Sequence, residues 1–222
     1  MIESVLNDTG KETLDKLSYR MYHGEDSDFD SVSNNPEKVE EELRQHIESK
    51  GFDYVIPSGK GGGVARQPFC IPDRFLTVDG EYVVKFARYK RGGESGPEKG
   101  RIQNHCEVKV WQRIDADQRK HFVPIRDYDR HYFWLVMDFA RCYDQQGERV
   151  VDTDDIGDTV DEMIDAGVYP NDYAGSFGIH QGETKYLDYG MGVERYDHGI
   201  GEKIVRDDEW GDYDTDRPEG MM

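Results

Sequence analysis

The chain has 222 residues, which fits one domain with appendages better than two full domains. Its 47 acidic residues against 28 basic ones give a formal charge of -19, which opposes unaided binding to DNA, RNA or an anionic membrane surface. It carries no stretch of 18 apolar residues, no basic and apolar leader, and three cysteines (Cys70, Cys106, Cys142) without a CxxC pair. A membrane span, an export signal, a disulfide framework and a structural zinc site are therefore not expected, and the thiols are expected to be small buried side chains. Hydrophobic residues make up only 36%, but 14 Tyr, 9 Phe and 3 Trp supply enough apolar area for a core.

In chain order, Leu14, Leu17 and Met21 are spaced for a short amphipathic helix over 11–21, and the polar, acidic stretch 24–35 reads as a loop. A second helix has clearer marks: Asn35 can cap it, Pro36 suits its first turn, Glu37 adds a favourable charge there, and Val39, Leu43 and Ile47 recur every four residues before Gly51. This N-terminal part carries no recognisable chemistry. Apolar runs at 52–56, 69–78, 81–87, 122–128 and 132–139, with Asp79-Gly80 as a hairpin turn, predict an antiparallel sheet. Ile102, Cys106, Val110 and Ile114 share one helical face, so a helix over 100–114 interrupts that sheet after its third strand. Ile156, Val160, Met163 and Ile164 predict a further helix ending near Gly167. Residues 172–189 read as a loop and a hairpin turning at Gln181-Gly182, and the polar, acidic chain from Arg206 onward reads as a mobile tail.

Four features invite chemistry. The run Ser58-Gly59-Lys60-Gly61-Gly62-Gly63 lies between predicted strands, where glycines let backbone N–H groups approach phosphate oxygens; a flexible turn is the plain alternative. It is not a Walker A motif, because no Gly-Lys-Ser/Thr is present. Lys85 sits inside the apolar strand Tyr82-Val83-Val84-Lys85-Phe86-Ala87, and a buried ammonium needs an anionic partner. Glu107, beside the apolar stripe of the 100–114 helix, can supply it; separately, each residue could equally face water. The strand Phe133–Phe139 and the segment Leu187-Asp188-Tyr189-Gly190 complete the set.

Taken in that order, residues 58–190 resemble the protein-kinase-like superfamily, in which a strand lysine touches the α- and β-phosphates and pairs with a helix glutamate. The fold so implied is α+β: a small antiparallel-sheet lobe with one helix over 52–140, a truncated second lobe over 141–205, a helical extension over 1–51 and an acidic tail over 206–222. The resemblance implies ATP and Mg²⁺ as ligands, with Gly61, Gly62 and Gly63 over the phosphates and Lys85 paired to Glu107. Met137 falls near the gatekeeper, Asp138 and Phe139 fall on the adenine-binding hinge, and Asp188 falls on the metal-binding aspartate. For the catalytic loop, one register puts Asn171 on the catalytic aspartate's position and Ser176 on the metal asparagine's; shifting by one residue brings in Asp172 as the base. Asn171 cannot take a proton as a carboxylate does, and a serine hydroxyl is a weak Mg²⁺ ligand, so nucleotide binding is expected ahead of phosphoryl transfer.

The alternative is a non-catalytic pseudokinase acting as an interaction or virion module, with a protein partner on the N-terminal helices or the acidic tail and no nucleic-acid or membrane partner. The acid spread along the chain resembles that of proteins from extreme halophiles, where molar salt screens self-repulsion. Short kinase-like chains of this kind resemble small proteins of tailed viruses, which implies a haloarchaeal host cytoplasm or a virion.

Overall fold

The computed structural model describes residues 2, 4–23, 36–55, 66–87, 98–170, 176–189, 193–197 and 200–203. Its elements in chain order are α1 (Asp8–His23), α2 (Pro36–Ser49), β1 (Asp53–Tyr54), β2 (Arg66–Cys70), a 3-10 turn (Asp73–Phe75), β3 (Tyr82–Ala87) and α3 (Glu98–Arg113). There follow α4 (Ala116–Arg119), β4 (Ile125–Tyr128), β5 (Trp134–Asp138), α5 (Thr153–Asp165), β6 (Val168–Pro170), β7 (Phe177–His180), β8 (Glu183–Tyr186), β9 (Val193–Asp197) and β10 (Ile200–Lys203). The chain is α+β. Its five-stranded sheet is antiparallel throughout, in the order β1-β2-β3-β5-β4.

The pleat explains why strands β3 and β5 read as unbroken apolar runs. In β3, Tyr82, Val84 and Phe86 join one core with Leu14, Leu17, Met21, Leu43 and Ile47 of α1 and α2, while Val83, Lys85 and Ala87 point to the opposite face. Strand β5 repeats the division, with Trp134 and Val136 on the α1–α2 side and Leu135 and Met137 in the core beneath α3. The sheet is thus covered on both faces. The apolar stripes of α1 and α2 that sequence periodicity marks as an extension are used within the chain itself.

The boundaries of α1 and β2 differ most tellingly from the sequence reading. Helix α1 starts at Asp8 because Asn7 caps it, its Oδ1 accepting from Gly10 N–H at 2.8 Å. A Cβ at Gly10 would lie 2.6 Å from the Phe75 carbonyl oxygen, so this close approach requires glycine. Strand β2 begins at Arg66 and stops at Cys70; the expected continuation to residue 78 is instead the 3-10 turn, entered through Pro72, which packs Phe75 under α1. The chain from 71 to 81 is therefore a longer excursion than a two-residue hairpin, although β2 and β3 pair as expected from Cys70↔Val83 onward. Of the three cysteines expected inside, only Cys106 is fully buried.

Hairpin β7–β8 turns at Gln181 (φ 53) and Gly182 (φ 86), the two positive φ angles a two-residue hairpin favours. It is tied to the chain flanking β4 and β5: Val123 N–H donates to Tyr186 O at 2.9 Å, Tyr186 N–H donates to His121 O at 2.8 Å, and Arg141 and Ile179 exchange backbone bonds at 2.9 Å. These ties carry the segment after β8, with Asp188, beneath β3. Strand β6 pairs with β9, and β9 with β10, in a three-stranded sheet that sequence patterning did not suggest. No helix among the described residues is long and apolar enough to cross a membrane.

Candidate functional site: a buried four-charge cluster

The register Pro68↔Lys85↔Leu135 puts Lys85 in the middle of the sheet, on the face that α3 covers. Asn104, fully buried, fixes α3 there: its Nδ2 donates to Tyr132 O at 2.9 Å and to Lys85 O at 3.4 Å. One helical turn on, Glu107 lies on the same face with no exposed surface. Its oxygens accept from Lys85 Nζ at 3.0 and 3.2 Å, and the same ammonium donates to Leu187 O at 2.6 Å. Asp188 Oδ1 stands 3.9 Å from Lys85 Nζ. The lysine, the glutamate and the aspartate singled out in the sequence converge from three separate elements.

Arg66 is the member that sequence reasoning missed. Strand alternation puts it, like Pro68, on the Lys85 face, and it is 5% exposed. Its Nη1 lies 2.9 Å from Glu107 Oε1 and donates to Asn104 Oδ1 at 3.3 Å, while its Nη2 is hydrogen-bonded to Asp188 Oδ1. The available signal was the pleat: with Phe69 facing the α1–α2 core, residues 66 and 68 must face the other way. The result is a neutral quartet, two cations against two carboxylates, in a chain of net charge -19.

Burial depresses the Lys85 ammonium and raises the Glu107 carboxyl, in each case against the pull of the opposite charges around it. Burial also works against the Arg66 guanidinium, but Asp188 and Glu107 outweigh it and push that group up. For Asp188, burial pulls upward, yet Arg66 and Lys85 prevail and hold it at about 2, below the ordinary 3.8. A carboxylate depressed in the folded state stabilises above its unfolded value and loses that contribution as pH falls through the folded one. With the Asp188 side chain 43% exposed, solvent screening leaves about 1 kcal/mol. The stability difference between wild type and Asp188→Asn should therefore be about 1 kcal/mol at pH 5 and vanish between about pH 4 and pH 2 in urea titrations. A difference that stays flat across that window would mean Asp188 is not ion-paired.

Tyr189 sets the direction of Asp188. Its ring is buried, packs edge-on against Phe122 with centroids 5.0 Å apart, and its hydroxyl donates to Val123 O at 3.0 Å. Burial pushes the Tyr189 hydroxyl well above the usual range, which keeps it a neutral donor.

The strand after the quartet is held mostly from within. Met137 is buried in the core beneath α3. Asp138 accepts both prongs of Arg126 at 2.6 and 2.7 Å and lies 3.4 Å from His180 Nε2, while His180 Nδ1 donates to Phe139 O at 3.0 Å. The backbone N–H groups of Asp138, Phe139 and Arg141 donate to Pro124 O, Glu81 O and Ile179 O. Asp138 and Phe139 are thus fixed by protein partners on those atoms. Ser176 is buried, and its carbonyl accepts from Leu187 N–H at 2.7 Å, next to Asp188. Gly61, Gly62, Gly63, Asn171 and Asp172 lie outside the described residues.

Among the described residues, no three His, Cys, Asp or Glu side chains are placed to hold a metal ion together. Asp188 is engaged by Arg66, and Glu107 by Arg66 and Lys85. Among the described residues, this donor set does not fit a divalent cation: both carboxylates of the cluster already have cations against them.

No protein-family model matches the chain, and no curated protein matches it. Among solved structures, a co-crystal of WbdD with a kinase inhibitor aligns at TM-score 0.40 and 17% identity, over 58% of this chain. The aligned part spans 31% of the WbdD chain. At that score the likeness carries no argument about the site, which rests on its own geometry.

Proposed function

We propose that the protein is a kinase-like nucleotide-binding protein whose buried cluster receives the phosphates of ATP, with phosphoryl transfer weak or absent. The observation that carries this reading is the Lys85–Glu107 pair at 3.0 Å, fully within the fold, with the Asp188 segment brought against it from another part of the chain. A lysine held by a glutamate beneath a strand is a preorganised phosphate ligand: the carboxylate keeps it charged and aimed. To receive a phosphate oxygen, Lys85 would exchange its bond to the Leu187 carbonyl, since its other hydrogen bonds go to Glu107 and its further ion pair to Asp188 is longer, at 3.9 Å.

A second reading is a non-catalytic interaction module, favoured by the neutrality of the quartet, in which every charge has a partner in the chain. The two readings part on binding. A fluorescent ATP analogue titrated in molar KCl should bind the wild type at micromolar to millimolar concentration and bind Lys85→Ala at least tenfold more weakly, with circular dichroism reporting that the variant is folded. A folded wild type that shows no binding at millimolar nucleotide would sink the first reading and leave the second.

A further inference from the structure

We propose that Arg66 takes the place of a divalent metal at this site, so that the protein binds a nucleoside triphosphate without one. This rests on the nucleotide reading and deepens it. Arg66 Nη2 bonds the Asp188 carboxylate, Nη1 lies 2.9 Å from Glu107 Oε1, and Asn104 Oδ1 at 3.3 Å steadies the same nitrogen. Three buried or partly buried acceptors on α3 and the 187–189 segment thus hold one guanidinium in a fixed orientation. A divalent ion on Asp188 would have to displace that guanidinium or sit beside it and beside the Lys85 ammonium, 3.9 Å from the same oxygen. Both cations would repel it.

The guanidinium can itself do what the ion would do. It is always charged, it is planar, and its five donors form a fork that matches phosphate oxygens, more donors than the three contacts described here. Arg66 and Lys85 then neutralise phosphate charge from the same face of the sheet, on adjacent strands, while Asp188 and Glu107 orient the two cations. Asp188, in the position where the kinase-like resemblance implies a metal ligand, becomes a positioning residue for an arginine.

The test is nucleotide affinity of the full chain with and without metal, at matched molar KCl. Wild-type protein should bind the fluorescent ATP analogue in EDTA within about twofold of its affinity in 5–10 mM Mg²⁺. In EDTA, Arg66→Gln should bind at least tenfold more weakly, and Arg66→Lys, which keeps the charge but not the fork, should fall between. Wild-type binding lost more than tenfold in EDTA would overturn the metal-free assignment and leave the nucleotide reading standing. Absence of binding in both conditions would overturn both. The wild-type comparison decides metal independence even if Arg66→Gln fails to fold, and the charge-keeping Arg66→Lys then tests the assignment to Arg66.

Discussion

Glu107→Gln is expected to destabilise the protein by about 3–5 kcal/mol, the range for removing one partner of a buried ion pair. The glutamine is nearly isosteric, so packing under β3 is kept and the loss reports charge. Lys85 at 6% exposure and Arg66 at 5% would both remain inside with, among the described residues of the cluster, Asp188 as the counter-charge, and its side chain is 43% exposed and therefore a screened counter-ion. Against a total folding stability of about 5–15 kcal/mol, a loss of that size removes a large fraction. Equilibrium urea unfolding followed by tryptophan fluorescence measures it directly. A loss below about 1 kcal/mol would mean that water reaches the cluster and screens it. Replacing Lys85, Arg66 and Glu107 together with apolar residues should recover part of the loss, because the desolvation cost of all three charges disappears with them.

Phe86→Ala should cost about 3–5 kcal/mol, by loss of buried apolar area and by the cavity left behind. The ring has no exposed surface and packs edge-on against Phe69 with centroids 6.0 Å apart, in the core that β3 shares with α1 and α2. Because Phe86 points away from the face that carries Lys85, the folded fraction of this variant should match the wild type in the nucleotide binding proposed above. Urea unfolding and nucleotide titration on the same preparation check both halves. Unchanged stability would mean α1 and α2 do not cover the sheet, and selective loss of binding would mean the two faces are coupled.

The contrast between these two variants shows which kinds of information the residues carry locally. Lys85 and Glu107 were legible because each breaks a pattern: an ammonium in an apolar strand and a carboxylate beside an apolar helical stripe both demand partners. Arg66 was not, because the strand was expected to begin only at residue 69, and an arginine outside a strand needs no partner. Once β2 is extended to Arg66, alternation alone turns that residue toward Glu107. The four-residue spacing of Ile102, Cys106, Val110 and Ile114 found α3, but not that 104–108 would all be buried, with Cys106 and Val108 in one core with Leu135, Phe177 and Tyr186. Strands β6, β9 and β10 stayed hidden because they are three to five residues long and because β6 meets β9 across more than twenty residues of chain, although β9 and β10 are close neighbours in sequence.

By itself, the sequence determined the types of most elements and their order, since helical and strand periodicities, the Pro36 start of α2 and the Gln181-Gly182 turn are local properties of neighbouring residues. It also determined that Lys85 and Glu107 would have to meet if both were buried. The feature that only the tertiary structure decided is what else meets there. Arg66 and Asp188 lie 122 residues apart, and their bond exists because β2 is placed beside β3 and because the β7–β8 hairpin carries Asp188 back under that sheet. Charge pairing at such separation is set by chain crossings, and no local propensity encodes a crossing. The same holds for α1 and α2: their apolar stripes announce a surface to be covered, and only the assembled sheet supplies the face that covers them.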